Sequence, residues 1–292
     1  MQPVLIPTRC RSTGGVVRHV LPMVVVLGAA MLAVVGCRAP ARSTGVVMAE
    51  QRGAVEPERL VAGRSVEGRP ISCQVFGDGD DVVLILAGIH GNEPAGSPLV
   101  LRLAEHLSRR PDLLTGCRVV LVPVANPDGL ARRTRHNARG VDVNRNFPAH
   151  NWSPDRRRGP KPLSEPASRA IDSLMTRYRP ARIVSIHQPI ACIDYDGPAR
   201  ALAQAMAACG DLPVRKLGGK PGSLGSYAGE TIGIGIVTLE LPRSASRLTR
   251  DQLWGRYGDM LLTAICFPKP IPQGASALAS SPDQADRSPA SR

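Results

Sequence analysis

Aromatic side chains are nearly missing from this chain: three Phe, two Trp and four Tyr make up 3% of its 292 residues. With 43% hydrophobic residues overall, a substantial core is possible, but Val, Leu, Ile and Ala must fill it. Lysine is also scarce, confined to Lys161, Lys216, Lys220 and Lys269, so arginine carries the formal net charge of +13. A basic chain without aromatic or Gly-rich recognition elements argues against nucleic acid as its partner, and the charge suits acidic substrates or an anionic cell envelope. No two cysteines have the C-x-x-C spacing of a zinc knuckle or redox motif, which excludes a metal held by thiolates. Nor is there a hydrophobic run of membrane-spanning length, because the apolar stretch 23–35, "MVVVLGAAMLAVV", is too short to cross a bilayer comfortably.

What is present at the N-terminus has the layout of a secretory signal. Arg9, Arg11 and Arg18 precede the apolar stretch, and "VVGC" ending at Cys37 has the form of a lipoprotein box. Residues 1–37 are therefore expected to be a lipoprotein-type signal peptide, with a lipid on Cys37 tethering the chain to a membrane of the bacterial cell envelope. Residues 38–58, small, charged and Pro-containing, are expected to form a flexible tether. Residues 269–292, rich in Ser, Ala and Pro, are expected to be a disordered tail. That leaves 59–268 as one catalytic domain of ordinary size, expected to be a monomer. Its five cysteines, Cys73, Cys117, Cys192, Cys209 and Cys266, are an odd number and are expected to be mostly buried and inert.

Within that domain, short β-branched runs alternate with longer amphipathic ones, the pattern of an α/β fold. Strands are expected at 72–76, 81–88, 118–124, 182–187 and 235–241, and helices at 93–109, 164–178, 199–209 and 246–264. In open α/β sheets ligands gather beyond the carboxyl ends of the strands. Four polar clusters fall there: His90 with Glu93, "NPDG" at 126–129, His187, and Glu240.

Zinc accepts imidazole nitrogen and carboxylate oxygen, and a catalytic site leaves one position open. His90 and Glu93, spaced His-x-x-Glu after one strand, with His187 at the tip of another, make such a triad possible. The ordinary alternative is a turn in which Glu93 merely favours the first turn of a helix. The segment "ANPDGLARRTRHNARGVDVNRNFP" (125–148) has no apolar periodicity and looks like a substrate loop. Asn144 and Arg145 offer fixed donors for a carboxylate, and Arg132, Arg133 and Arg135 offer cationic groups for a developing oxyanion.

"GIHGNEPAG", "NPDG", "RGVDVNRNFP", "SIHQP" and "TLELP" follow one another as in the zinc carboxypeptidase superfamily, which this chain resembles over residues 64–266. The resemblance is closest to the bacterial murein peptide amidase branch. It implies a single α/β domain with a mixed, twisted eight-stranded sheet sandwiched between helices, and one catalytic Zn2+ per chain. It implies His90, Glu93 and His187 as the metal ligands and Glu240 as the general base that activates water and protonates the leaving amine. Arg132 is the implied carbonyl-polarising arginine, with Arg133 and Arg135 as neighbours that leave the register open. Asn144 and Arg145 hold the substrate carboxylate, and Asp142 orients a ligand histidine. Many carboxypeptidases carry a tyrosine on a mobile loop upstream of the base, and Tyr227 is the nearest candidate here.

The implied activity is a zinc-dependent hydrolase of an amide bond next to a free carboxylate, with the γ-D-glutamyl-diaminopimelate bond of murein peptides as substrate. Two alternatives remain: a deacylase of N-acyl amino acids resembling succinylglutamate desuccinylase and aspartoacylase, and a lipid-anchored binding protein without turnover. The "NPDG" and "RGVDVNRNFP" strings favour the peptidase, and the joint presence of His90, Glu93, His187 and Glu240 argues against a silent binder.

Overall fold

The structure, a computed structural model, describes residues 53–277. The apolar stretch 23–35, Cys37, the tether as far as residue 52 and the tail from 278 onward lie outside the described residues. In chain order the main elements are strands β1 (Glu58–Arg64), β2 (Pro70–Phe76) and β3 (Asp81–Ala87), helix α1 (Gly96–Arg109), strand β4 (Cys117–Val122), helices α2 (Pro127–Arg132) and α3 (Pro166–Tyr178), strands β5 (Arg182–His187) and β6 (Ile190–Asp196), helix α4 (Arg200–Ala207), strand β7 (Gly235–Pro242) and helix α5 (Arg250–Cys266).

These strands form one sheet in the order β1-β2-β4-β3-β5-β7-β6. The four central strands β4, β3, β5 and β7 run parallel, while the β1-β2, β2-β4 and β6-β7 pairs are antiparallel. Runs such as "DVVLILA" and "RIVSIH" are buried almost throughout, as central strands covered on both faces must be. The five expected strands are all present with small shifts at their ends. The sheet has seven strands among the described residues, not the eight expected. The two that periodicity did not show, β1 and β6, are edge strands of mixed burial, where only one partner and one face constrain the side chains.

Each face of the sheet carries its own core. On one side Leu99, Leu103 and Leu107 of α1 meet Trp254, Tyr257 and Leu261 of α5 and Met206 of α4. On the other, Ile171 and Leu174 of α3 pack with Val82, Leu84, Ile183 and Phe147. Burying each such leucine contributes about 1.5–3 kcal/mol. Helix α5 begins where Thr249 and Gln252 form a reciprocal capping box, four residues later than the apolar pattern suggests.

Helix α1 also starts late. It begins at Gly96, so Glu93 sits in the turn before the helix and not within its first turn. That turn is zipped to the one after β4: Ala125 N–H donates to Ala87 O at 2.9 Å, Asn126 N–H to Gly88 O at 2.9 Å, and the Asn126 side chain to Ile89 O at 3.1 Å. Asn126 also caps α2 by accepting from Gly129 N–H. Gly91 lies flat against this second turn, and a Cβ placed there would sit 1.8 Å from the carbonyl carbon of Gly129. The "NPDG" motif is thus a brace for "GIHG".

Both ends of the domain extend past their expected limits. Val55 N–H donates to Ser108 O at 2.8 Å, so the last residues assigned to the tether join the domain. Residues 269–277, expected in the tail, fold back over α1 and α5. Ala275 and Ala277 are fully buried, Ala275 O accepts from His106 Nε2 at 3.0 Å, and Ala277 N–H donates to Asp259.

Two stability outcomes are expected. Gly91→Ala lowers stability by about 1–3 kcal/mol or more in thermal unfolding, whereas Gly53→Ala, where an added Cβ meets nothing within 4 Å, does not. A chain ending at residue 268 unfolds at lower temperature than one ending at 277, because His106 loses its buried acceptor, a loss of about 1–3 kcal/mol.

Candidate active site

Along the face that carries α3, paired positions on β5 and β7 change character toward their carboxyl ends. Ile183 pairs with Ile236, then Ser185 with Thr238, then His187 with Glu240. Apolar residues anchor the strands in the core, and the polar ones emerge where the sheet stops. Strand β3 lies between β4 and β5, so the chain leaves it toward one side and returns on the other. The carboxyl ends of β3 and β5 therefore flank the crevice at which open sheets bind ligands.

In that crevice His90, Glu93 and His187 converge, all buried, with their donor atoms within 4.8 Å of one another. The two imidazole Nδ1 atoms are 3.2 Å apart, and Glu93 places Oε1 2.8 Å from His90 Nδ1 and Oε2 2.9 Å from His187 Nδ1. Outer partners fix which nitrogen faces inward. Asp142, a carboxylate that only accepts, takes the His90 Nε2–H at 3.0 Å. Ser185 Oγ lies 3.0 Å from His187 Nε2, and by accepting its hydrogen leaves the His187 Nδ1 lone pair facing inward too. Two nitrogen lone pairs and a carboxylate pressed together repel each other unless positive charge lies among them.

The electrostatics show that the cluster favours positive charge. Burial alone penalises the His90 imidazolium, yet its hydrogen bonds to Asp142 and Glu93 outweigh that and hold its pKa above the ordinary value. Burial likewise opposes the Glu93 carboxylate, but the close approach of His187 and His90 brings it down to about 2. The donor set, two imidazoles and one carboxylate with space beside them, fits a catalytic zinc ion.

Around the cluster lies a cavity of about 190 Å³. Glu240 lines it from the end of β7, 8% exposed, accepting weakly from Ile190 N–H at 3.4 Å. Burial is the main reason its carboxyl is held above the usual range, with the Glu93 charge adding and the charge of His187 offsetting part. Asn144 and Arg145 line the same cavity. Asn144 Oδ1 accepts from Leu224 N–H at 2.8 Å, leaving its amide N–H groups as donors. Asp142 ties these groups together: beside His90 it accepts from Asn144 N–H at 3.0 Å and Arg135 Nε at 2.9 Å. Burial disfavours the Asp142 carboxylate, but the His90 hydrogen bond and the charges of Arg135 and Arg145 keep it ionised well below the usual range.

The arginines separate cleanly. Arg132 ends α2 at the surface, paired with Glu67, and does not line the cavity. Arg135 does line it, and its guanidinium also approaches Glu93 Oε1 at 3.5 Å. Arg133 takes a left-handed backbone conformation as the C-cap of α2 and is exposed. Of the three arginines that the sequence leaves open, Arg135 is the one that lines the cavity, because the helix carries Arg132 outward and the chain turns back into the crevice only after its end. Tyr227 does not line the cavity: its hydroxyl donates to Asp172 at 2.8 Å and its ring stacks on Phe147.

Several cavity residues had no sequence signal that singled them out. Gln188 holds the crevice together: its N–H donates to Glu93 Oε2 at 3.2 Å, its side-chain carbonyl accepts from Ala95 N–H, and its amide reaches Ser246. Asp194 and Asp196 line the cavity from β6, and Lys220 and Ser223 come from the glycine-rich loop at 217–225. The alternation in "CIDYD" was the available sign that both aspartates face one side of a strand.

The comparisons agree with this geometry. Residues 53–195 match the family described as zinc carboxypeptidase. Murein peptide amidase A of Escherichia coli strain K12 is 36% identical over 215 residues, covering 67% of this chain and 86% of the relative. Its counterpart from Vibrio campbellii is 32% identical over 215 residues, covering 65% and 82%. The crystal structure of the murein-tripeptide amidase from Escherichia coli O157 superposes with a TM-score of 0.63 at 32% identity, covering 75% of this chain and 96% of that one. With the ligand cluster, the sheet that presents it and these relatives in agreement, the chain belongs to the zinc carboxypeptidase family and is a hydrolase.

Proposed function

We propose that this enzyme is a zinc-dependent amidase that cleaves the γ-D-glutamyl-diaminopimelate bond of murein peptides, next to a free carboxylate. The observation that carries the reading is the sharing of one cavity by the His90–Glu93–His187 cluster, a buried Glu240 and the Asn144/Arg145 pair. The relatives that bear the name murein peptide amidase support the choice of peptide. The layout of residues 1–37 supports an enzyme anchored in the cell envelope through a lipid on Cys37.

Zinc held by His90, Glu93 and His187 supplies Lewis acidity that polarises the scissile carbonyl and makes water acidic near neutral pH. The remaining steps belong to the side chains. Arg145 and the Asn144 amide bind the free carboxylate of the leaving residue and so set which amide faces Glu240. Glu240, its pKa raised by burial, accepts a proton from the attacking water and returns it to the leaving amine. Arg135, held in place by Asp142, donates to the oxygen that becomes negative as the carbon turns tetrahedral.

A panel of L-Ala-γ-D-Glu-diaminopimelate, ordinary C-terminal peptides and N-acyl amino acids, read by mass spectrometry, tests the assignment. Cleavage of the γ-D-glutamyl bond is expected, and hydrolysis of N-acyl amino acids alone would turn the reading to a deacylase. Glu240→Gln is expected to lower turnover by about 100- to 10,000-fold while about one zinc per chain is retained; full activity in that variant rejects the general-base role. Arg135→Ala should lower kcat by roughly 100- to 1,000-fold, whereas Arg132→Ala stays close to the parent enzyme.

A further inference from the structure

The Asn144/Arg145 pair is backed by a residue that does not itself line the cavity. The loop 217–225, "LGGKPGSLG", supplies part of the cavity wall, yet it holds four glycines in nine residues and joins no strand. Glycine loses more conformational freedom on ordering than any other residue, so such a loop keeps its shape only if something outside holds it. The segment just after Arg145 does so. Asn151 Oδ1 accepts from Gly222 N–H at 3.1 Å, its Nδ2 donates to Ser226 Oγ at 3.1 Å, and Phe147 N–H donates to Gly222 O at 3.0 Å. Gly222 has a φ of +69° and lies so close to Arg145 that an added Cβ would sit 2.3 Å from the Arg145 carbonyl oxygen.

Two residues past Gly222 the loop returns the contact. Leu224 N–H donates to Asn144 Oδ1 at 2.8 Å. An amide side chain has one end that accepts and one that donates. With its oxygen fixed on Leu224, Asn144 has only N–H groups left to offer the cavity, which is what a bound carboxylate needs. Turned by half a rotation, the same amide would aim its oxygen at the carboxylate and repel it. Asn151 holds Gly222, Gly222 sets the path to Leu224, and Leu224 decides which end of Asn144 is free.

We propose that Asn151 is a positioning residue for carboxylate recognition, acting through Gly222 and Leu224 to keep the Asn144 amide N–H groups available to the substrate. This rests on the reading that the site cleaves an amide next to a free carboxylate. Asn151 has no part in proton transfer, so its loss weakens the hold on the leaving residue's carboxylate and leaves the chemistry at Glu240 intact.

The test uses the full chain loaded with zinc and two substrate pairs, each comparing a free carboxylate on the leaving residue with its carboxamide. One pair is L-Ala-γ-D-Glu-diaminopimelate and its α-amide at diaminopimelate; the other is an ordinary acyl-dipeptide and its C-terminal amide. The ratio of kcat/KM within a pair does not depend on how much of a variant is folded. The parent enzyme is expected to prefer the carboxylate by at least about 100-fold, and Asn151→Ala to cut that preference by roughly tenfold, through KM with kcat little changed. Asn151→Asp keeps the acceptor for Gly222 N–H and is expected to stay within about threefold of the parent ratio. In an Asn144→Ala background, Asn151→Ala is expected to change the ratio no further. A ratio for Asn151→Ala equal to the parent's, or the same added loss in the Asn144→Ala background, overturns the proposal and keeps the reading. A parent enzyme without preference in either pair rejects the reading and the proposal together. A ratio that falls on the acyl-dipeptide pair, with neither γ-D-glutamyl peptide cleaved, supports the positioning role and rejects the murein substrate.

Discussion

Two imidazole nitrogens 3.2 Å apart, with a carboxylate against both, are the constraint around which the rest of this molecule is arranged. Such a cluster of lone pairs is unfavourable in a buried crevice unless a cation sits among them, and it keeps its shape only if each ligand is held from behind. Every ligand is so held. Asp142 fixes His90, Ser185 fixes His187, and the Gln188 N–H and Arg135 fix Glu93. Since Asp142 also binds Arg135 and the Asn144 backbone, the carboxylate that orients His90 positions two other residues of the cavity as well.

The sheet makes this arrangement possible. Its central strands are anchored by apolar side chains on both faces, and only their last same-face positions, Ser185 with His187 and Thr238 with Glu240, turn polar. A rigid parallel core thus delivers reactive groups to one edge with little freedom to wander. The edge strand β6 adds a second dimension, because its register with β7 sets Asp194 and Asp196 at fixed steps from Glu240.

Much of this was legible in the sequence because its signals are local. Buried parallel strands are continuous apolar runs, so β3, β4, β5 and β7 stand out, and their ends mark His90, Glu93, His187 and Glu240. Pairing across long separations is not local. Edge strands β1 and β6 carry mixed burial and emerge only once their partners are known. Which arginine reaches the cavity depends on where α2 ends: three arginines within four residues look alike in sequence, but the helix sends Arg132 to Glu67 and only the following turn brings Arg135 inward. "NPDG", which appears chemical beside the ligand motif, serves instead to brace it through Asn126 and the Gly91–Gly129 contact. The C-terminal residues 269–277 have no apolar periodicity, yet two alanines suffice to plug the gap between α1 and α5.

The central claim is that a single metal ion is held by the inward-facing Nδ1 atoms of His90 and His187 and the Glu93 carboxylate. Anomalous diffraction at the zinc edge from crystals of the zinc-loaded protein tests it most directly. The account predicts one peak at about 2.0–2.2 Å from both Nδ1 atoms and a Glu93 oxygen, with an open position toward Glu240. A peak coordinated through Nε2, or one outside this cluster, would contradict it.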